Sequence, residues 1–416
     1  MLRRTLPSGS ASLSRVDPPM SSPASQEHRR AVSLLSLAAF ASAASARLCD
    51  PMLPELGRSF AASPSQVAHV VSGFAIAYGV LQMFFGPLGD RIGKYRLIAF
   101  TTLACTLGSL VAALASSLNV LVVARALAGA TAAGIIPLSM AWIGDTVSYE
   151  ERQETLARFL GGQILGVVGG QFIGGFFADT LGWRWAFAFL CVIYLLIGLA
   201  VLREAGRNLA AEHRAGVKAG MFPQLMTVLD KGWARWILLI VFLEGMVIFG
   251  TLAFVPTYLH ERFDLKLSSA GALMGLFGIG GLAYITLAKR LVKYLGEFGL
   301  AIGGGVLGSV AWLLFAFGDA WAWAMPASAC AGVGYYMLHN TLQTNATQMA
   351  PEVRGTAVSL FASAFFIGQS LGVMIAAKII EDAGNFVLFF VAAVALLAIA
   401  TLFAALLRRK QVRQPN

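Results

Sequence analysis

The sequence predicts an all-α membrane protein of twelve transmembrane helices in two pseudo-symmetric six-helix halves. The first observation behind this prediction is composition, since 57% of the 416 residues are hydrophobic and only 12% are charged, unlike a soluble protein. The second is a series of twelve apolar runs, each long enough to cross a bilayer. The third is a single long polar break at residues 203–232, which divides the runs six and six.

Residues 1–30 are rich in Ser, Pro and Arg and predict a disordered tail. The first apolar run behind this tail resembles a signal-peptide core, but eleven further runs favour a retained span. The predicted divisions are the tail at 1–30, the N-terminal half at 31–202, the central loop at 203–232, the C-terminal half at 233–407 and a second tail at 408–416. The twelve spans are centred on residues 31–56, 66–86, 97–116, 119–143, 157–178, 184–202, 235–258, 268–288, 298–318, 321–345, 355–378 and 386–407.

Basic residues predict the orientation, because Lys and Arg are enriched in short loops on the cytoplasmic side. With the N-terminus inside, the inner segments hold most of the 31 Lys and Arg residues. The outer loops hold only Arg58, Arg184, Arg262, Lys266 and Lys378. We therefore expect a multi-pass protein of the cell (inner) membrane with both termini cytoplasmic. The net charge of +10 follows these loops, so nucleic-acid binding is not predicted.

The two halves resemble each other when one is shifted by 202 positions. The shift superimposes Arg152 on Arg354, Gly166 on Gly368, Gly170 on Gly372 and Asp179 on Glu381. Two parallel repeats with a substrate site between them are an architecture of secondary transporters.

The turn between the second and third spans is charged and broken by glycines. Gly86, Gly89 and Gly93 predict a sharp turn and close helix approach. Asp90 is predicted to open the next helix, where a carboxylate suits the positive end of the helix dipole. The pattern Gly-x-Leu-x-Asp-Arg-x-Gly-Lys-x-Arg, which ends at Arg96, resembles the signature of the major facilitator superfamily of secondary transporters.

That resemblance implies a conformational gate at this turn, built from Gly86, Asp90, Arg91 and Gly93. Asp90 and Arg91 are expected to hold the two halves together in the outward-facing state. Arg354, at the equivalent end of the other half, is expected in the same cluster.

Three further stretches resemble the twelve-span drug/proton antiporter branch of that superfamily. The run from Asp50 to Pro54 looks like its Pro-x-x-Pro ending of span one, and Arg125 is similar to its buried arginine of span four, which is associated with proton coupling. Trp183 and the residues that follow it also fit at the start of span six.

A glycine-rich stretch in span five resembles the antiporter motif of the same branch. Its helix-packing glycines are Gly166, Gly170, Gly174 and Gly175. Gln171 stands where the motif usually has proline, and Ala157 stands where its first glycine would be. This departure weakens the prediction of antiport over symport.

Charges inside the hydrocarbon are costly, so each buried charge is a functional candidate. Asp50 and Arg125 are matched in depth near the outer ends of spans one and four, and opposite in sign. An Asp50–Arg125 pair that opens on protonation would couple transport to protons. A static ion pair that fixes the two helices explains the same residues equally well.

Glu244 is predicted near the middle of the membrane in span seven. A low dielectric disfavours an ionised carboxyl group, so Glu244 is suited to exchange a proton or to bind a cationic substrate group. The alternative is a protonated glutamate that bonds a neighbouring helix.

Span ten has an unusually polar face, with Tyr336, His339, Asn340 and Gln343 at helical spacing. This face predicts one wall of a wet substrate cavity. The alternative is a set of interhelical hydrogen bonds. Tyr78 and Gln82, one turn apart in span two, are weaker candidates for the same cavity.

The sequence has no nucleotide-binding loop, no nucleophile triad and no His/Cys metal spacing, so an enzyme is not predicted. We expect a secondary active transporter, without a cofactor and energised by the proton gradient, that exports a small organic compound as a monomer. The alternatives are proton-coupled or passive uptake of a sugar or metabolite, and a transporter-like receptor that does not transport. The sequence does not identify the substrate.

Overall fold

The computed structural model describes residues 23–206 and 221–413, which contain helices and no strand. The N-terminal half holds α1 (Pro23–Arg47), α2 (Leu53–Phe60), α3 (Pro64–Ile92), α4 (Lys94–Ala113), α5 (Leu118–Ala132), α6 (Ile135–Thr146), α7 (Tyr149–Thr180) and α8 (Trp183–Ala205). The rest of the described chain holds α9 (Met221–Leu229), α10 (Gly232–Leu252), α11 (Val255–Phe263), α12 (Leu267–Leu273), α13 (Gly275–Phe317), α14 (Ala324–Gln348) and α15 (Arg354–Arg413). Short 3-10 turns lie at Asp50–Met52, Trp321–Trp323 and Pro351–Val353.

Nine helical stretches in the described ranges are long and apolar enough to cross a membrane. Two of them, Leu267–Phe317 and Pro351–Lys410, are interrupted at Gly296 (φ 60°) and Gly384 (φ 84°). These positive φ values favour glycine, and each divides one stretch into two membrane-length helices. The more polar α14 lies between the two stretches. The two interruptions each add one helix to the nine stretches, and α14 adds a third. These three helices correspond to the predicted spans beyond nine.

The first predicted tail differs from the structure. Residues 23–30 belong to α1 rather than to a disordered tail, since proline is tolerated in a first helical turn and Ala, Gln and Glu follow it. The second tail is helical as far as Arg413. The predicted central loop contains the end of α8 and all of α9. The rest of these predicted regions, 1–22, 207–220 and 414–416, lies outside the described residues.

The surface of the bundle is apolar over wide areas. Leu114 is 73% exposed, Val123 is 67% exposed and Leu165 is 63% exposed. Large aliphatic side chains at such exposure suit a lipid surrounding, because contiguous apolar patches of this kind are rare on soluble monomers.

The repeat predicted from sequence corresponds in the structure to equivalent helix contacts in the two halves. In each half, two glycines one turn apart press against main-chain carbonyl groups of another helix, so closely that a Cβ atom would overlap the oxygen. The contacts are Gly166 with Phe40 and Gly170 with Ala44 in the N-terminal half, and Gly368 with Phe242 and Gly372 with Met246 in the C-terminal half. The shift of 202 positions relates the carbonyl groups as well as the glycines.

The two ends of the bundle are named here by what they carry. The terminal face holds both described chain ends, where Arg30 forms an ion pair with Glu204 and Lys410 Nζ lies 3.4 Å from Asn345 Oδ1. The loop face is the opposite end.

The halves meet along two antiparallel helix pairs, α3 with α15 and α7 with α12 and α13. Ser65 contacts Glu381 at the loop face, and Gly79 packs against Ser363 about halfway down the same pair. In the second pair, Gly175 contacts Leu267 near the loop face. The contacts therefore close the loop-face half of the interface.

The helices that form these pairs separate towards the terminal face. A Cβ atom on Gly79 would touch the other half, whereas one on Gly86, Gly161 or Gly355 would meet no atom within 4 Å. These three glycines lie on α3, α7 and α15, close to the terminal face. The structure is therefore closed at the loop face and open at the terminal face.

Candidate functional site

A buried acid–imidazole pair lies at the centre of the C-terminal half. Glu244 on α10 is fully buried, and its Oε2 lies 2.8 Å from Nδ1 of His339 on α14. Its other oxygen, Oε1, has no hydrogen-bond partner among the described residues. The His339 side chain is 14% exposed, so the imidazole is the part of the pair nearest to open space. The structure joins two residues for which the sequence predicted separate roles.

Close helix packing positions Glu244. The neighbouring residue Gly245 presses against the carbonyl oxygen of Phe365 on α15, so α10 and α15 nearly touch at this level. A side chain at position 245 would push the helices apart and open the space around the carboxyl group.

Three aromatic rings pack against His339. The His339 ring lies 4.8 Å from Tyr335, 5.1 Å from Phe365 and 5.4 Å from Phe361, measured between ring centres. These rings give the pair a largely apolar surrounding, in which an uncompensated charge is costly. The arrangement therefore suits a pair that holds one proton between a carboxyl group and an imidazole.

A second buried charged pair lies next to this ring cluster, and it differs from the sequence prediction. Arg47 Nη1 lies 3.6 Å from Asp50 Oδ2, and both side chains are buried. Arg47 also donates from Nη2 to Gln369 Oε1 at 3.2 Å, and its guanidinium carbon is 4.1 Å from the centre of the Phe249 ring. Gln369 and Phe249 belong to the other half, so Arg47 bridges the halves.

The predicted ion pair between Asp50 and Arg125 is therefore replaced by Arg47–Asp50. Asp50 lies in the 3-10 turn after α1, three residues from Arg47, which favours that neighbour. Arg125 instead donates to the Ser45 carbonyl at 2.8 Å and Oγ at 3.2 Å, and to the Val70 carbonyl at 3.4 Å. Its described hydrogen bonds stay within the N-terminal half.

The predicted cavity residues of α14 become more exposed towards the terminal face. Tyr336, His339 and Asn340 are partly buried, and Gln343, one turn nearer to that face, is exposed. This gradient fits a helix face that borders the opening between the halves.

The predicted cavity residues of α3 are buried. The Tyr78 ring lies 4.3 Å from Phe366, which lies 5.5 Å from Phe365 in the ring cluster around His339. Gln82 is 8% exposed, and its Oε1 has no hydrogen-bond partner in the part of the chain that the structure describes. Tyr78 therefore reaches the Glu244–His339 site through two phenylalanines, and Gln82 lies one turn further towards the opening.

The turn after α3 differs from its prediction. Asp90 lies in the last turn of α3 and does not open the next helix, because α3 continues to Ile92 and the break falls at Gly93 (φ 102°). Gly89 is the glycine of close approach, against Leu138, whereas Gly86 has open space around it.

The predicted gate residues form no ion pair between the halves within the described ranges. Lys94 binds Asp90 at 2.9 Å and Asp145 at 2.8 Å, all within the N-terminal half. Arg91 and Arg354 are exposed. The gate therefore remains a prediction for the opposite state, in which the terminal face would be closed.

The helix-packing glycines of span five lie in close contacts. Gly166, Gly170 and Gly174 press against carbonyl groups of the first span, and Gly175 presses against Leu267 of the other half. Gly174 meets the carbonyl group of Leu48.

The sequence interpretation assigned no role in the site to Arg47 or Gln369. Arg47 and Asp50 are three residues apart, a spacing that indicates contact on a helix, so their pairing was detectable. Gln369 carries no local signal, because its partner is 322 positions away. Across the described chain, no three His, Cys, Asp or Glu side chains are grouped so that they could hold a metal ion.

The fold and the site define a class of protein. The chain crosses the membrane many times, its halves repeat one set of helix contacts, and they close together at one face only. The C-terminal half holds a buried acid–imidazole pair. This is the arrangement of a secondary transporter rather than an enzyme. The profile of the Major Facilitator Superfamily matches residues 35–373, and the chain belongs to this family. The family and the all-helical membrane fold predicted from sequence are confirmed.

Curated relatives agree with the family. The chain is 25% identical over 348 residues to the uncharacterized MFS-type transporter YceJ of Bacillus subtilis (strain 168), which covers 82% of this chain and 86% of that protein. It is 25% identical over 268 residues to YwfA, another such transporter of that strain, over 62% of this chain and 64% of the relative. It is 28% identical over 207 residues to the multidrug export protein EmrB of Escherichia coli (strain K12), over 48% of this chain and only 40% of EmrB.

Solved structures share the fold. A point mutant of the nucleoside transporter NupG superimposes with a TM-score of 0.71 at 15% identity, over 90% of this chain and 98% of NupG. A transporter of the POT family, in complex with a thioalcohol conjugated peptide, gives a TM-score of 0.73 at 13% identity, over 92% of this chain and 97% of that one.

Proposed function

We propose that the protein exports a small organic compound in exchange for protons, by alternating access between its two faces. The observation that carries the proposal is the Glu244–His339 pair, which joins a fully buried acid to an imidazole at the edge of the opening. Buried ionisable groups in membrane helices mark ion and substrate pathways.

The pair can couple the two movements because it holds a proton at a defined place. With the terminal face open, His339 passes a proton between Glu244 and the opening, and a compound that enters between the halves displaces it. With the loop face open, the pair takes up a proton from that side and the compound leaves. Asp50 and Arg125 remain candidates for the coupling in the N-terminal half, with Arg47 as the direct partner of Asp50.

The distribution of charges supports the orientation of the protein in the membrane, and a relative supports the direction of transport. The excess of Lys and Arg on the terminal face predicts that this face is cytoplasmic, so the present structure faces inward. We propose an inner-membrane location with both termini in the cytoplasm, a monomeric unit, and the proton gradient as energy source without a cofactor. EmrB, named a multidrug exporter, supports export over uptake.

The test uses purified protein in liposomes with a pH-sensitive dye inside. Ethidium, tetraphenylphosphonium and a panel of sugars and nucleosides are added in turn, for the wild type, for Glu244→Gln and for Glu261→Gln. Glu261 is an exposed acid in α11, on the same span as Glu244, and serves as the matched control.

Proton movement that is driven by a compound in the wild type and in Glu261→Gln, but not in Glu244→Gln, is the expected result. Proton coupling that survives in Glu244→Gln contradicts the role of the pair and favours Asp50 as the coupling residue. Substrate and protons that move in the same direction contradict export and favour uptake. Compound binding without movement across the membrane favours a receptor.

A further inference from the structure

Two carboxylates at the loop face each bond to the first turn of a helix in the opposite half. Asp179, at the end of α7, accepts hydrogen bonds from the backbone amides of Leu267 at 3.0 Å and Ser268 at 2.7 Å. These amides begin α12, which belongs to the C-terminal half. The residue before them, Lys266, provides no side-chain cap, so Asp179 satisfies amides that their own segment leaves free.

The second carboxylate belongs to Glu381, near the end of the first membrane-length helix of α15 and three residues before the break at Gly384. It accepts hydrogen bonds from the backbone amide of Ser65 at 2.9 Å and from the Ser65 hydroxyl group at 2.6 Å. Ser65 lies in the first turn of α3, in the N-terminal half. This helix already has a capping box, formed by Ser63 and Gln66.

The two contacts are related by the repeat. The shift of 202 positions superimposes Asp179 on Glu381, and it also superimposes Ser65 on Leu267. Each half therefore supplies one acid and one helix start, and both bonds cross the interface. A carboxylate at the positive end of a helix is favourable, but here the bond exists only while the loop face is closed.

We propose that Asp179 and Glu381 are paired latches that hold the loop face closed and thereby set the balance between the two states. The proposal goes beyond the proposed function, because it depends on the closure of one face and not on protons, substrate or direction. The Asp179 latch is the stronger one, since it binds two amides that have no other cap, whereas Glu381 supplements an existing capping box.

Asp382 provides a matched control next to Glu381. Asp382 also carries a carboxylate and lies one residue away from Glu381. Its carboxylate, however, binds Lys378 of its own helix at 2.8 Å. Glu381 lies 4.0 Å from the same lysine. Asp382→Asn removes a loop-face charge without removing a contact between the halves.

The experiment measures distances between spin labels in the full chain in lipid nanodiscs. One label pair spans the loop face, at Ser116→Cys and Ala320→Cys, and another spans the terminal face, at Gln153→Cys and Gln348→Cys; all four positions are exposed. The partly buried Cys191 and Cys330 are replaced by Ala, and the buried Cys49 and Cys105 are kept.

We expect the population with a long loop-face distance to rise about fivefold in Asp179→Asn, less in Glu381→Gln and most in the double variant. The terminal-face distance should shorten in the same order, while Asp382→Asn matches the unsubstituted protein. Asp179→Glu keeps a carboxylate and should retain more of the closed population than Asp179→Asn.

Equal distance distributions in the double variant and in the unsubstituted protein overturn the proposal. So does an equal change in Asp382→Asn, because the effect would then come from surface charge alone. Circular dichroism and size-exclusion profiles identify a variant that fails to fold. Glu244→Gln, measured in parallel, keeps a failure of proton coupling distinguishable from a failure of the latches.

Discussion

The two halves of the molecule share their helix packing but differ in their buried charges. Gly170 and Gly372 lie at equivalent positions and press against equivalent carbonyl groups. Glu244, however, is equivalent to the buried Ser42, and Arg47 is equivalent to Phe249, the ring that it covers. The repeat therefore preserves the contacts that hold helices together, while the ionisable groups have become specific to each half.

The difference in charge suggests different roles for the two acids. Asp50 neutralises a buried arginine, whereas Glu244 faces a neutral or charged imidazole and leaves one oxygen unpaired among the described residues. We infer that Asp50 contributes more to stability and Glu244 more to transport.

The largest expected effect separates these two acids. Asp50→Asn leaves the Arg47 charge buried without its counter-ion, which costs about 3–5 kcal/mol of unfolding free energy. Glu244→Gln keeps a polar partner for His339 and should cost about 1 kcal/mol or less. Thermal unfolding of the purified variants compares them, with the exposed Asp230→Asn as control. Equal losses for the two acids would remove the distinction between the halves.

A second prediction concerns the bridge between the halves. Gln369→Leu removes the acceptor of Arg47 Nη2, and a hydrogen bond to a charged group contributes about 1.5–3 kcal/mol. We expect a lower unfolding temperature and a looser loop face in the spin-label measurement. Gln343→Leu, an exposed glutamine on α14, is the control. An unchanged unfolding temperature in Gln369→Leu would show that Arg47 is held by Asp50 and Phe249 alone.

The third prediction tests the shared packing. Gly170→Ala and Gly372→Ala each force a methyl group against a carbonyl oxygen, and overpacking of this kind costs about 1–3 kcal/mol. Gly161→Ala and Gly355→Ala, on the same two helices, have open space and should be neutral. The two halves should lose similar stability, measured by thermal unfolding; a loss in one half only would break the equivalence.

The smallest expected effect lies at the terminal face. Lys94 links Asp90 and Asp145 in the N-terminal half, and the equivalent position in the C-terminal half is Gly296. These partners are 42% and 60% exposed, so Lys94→Met should cost about 0.2–1 kcal/mol, and less at high salt. Unfolding in a salt series, with Lys293→Met as control, checks this. A loss that is independent of salt would contradict an electrostatic cause.

Much of the architecture was predictable because hydrophobic length and glycine spacing are local properties of a sequence. The repeat of Gly166 and Gly170 in Gly368 and Gly372 predicts the shared packing from sequence alone. The turn after α3 was predicted less well, since Asp90 and Gly93 compete there as helix start and helix end. Gly93 determines the break because its φ of 102° suits glycine.

The residues of the site were predictable from sequence, but the contacts between them were not. Glu244 and His339 were both candidates, but their contact joins residues 95 positions apart, and no local pattern encodes such a distance. Asp50 and Arg125 were matched by depth, which is a weaker criterion than the helical spacing that joins Asp50 to Arg47.

The glycine contacts limit how the protein can change in evolution. The atom that faces Gly170 is the main-chain oxygen of Ala44, not a side-chain atom. No substitution at position 44 removes a main-chain oxygen. A genetic search for second-site suppressors of Gly170→Val should therefore recover no compensating change at position 44. Revertants should instead alter residues that shift the whole of α1, so covariation would link position 170 to distant positions rather than to its nearest neighbour.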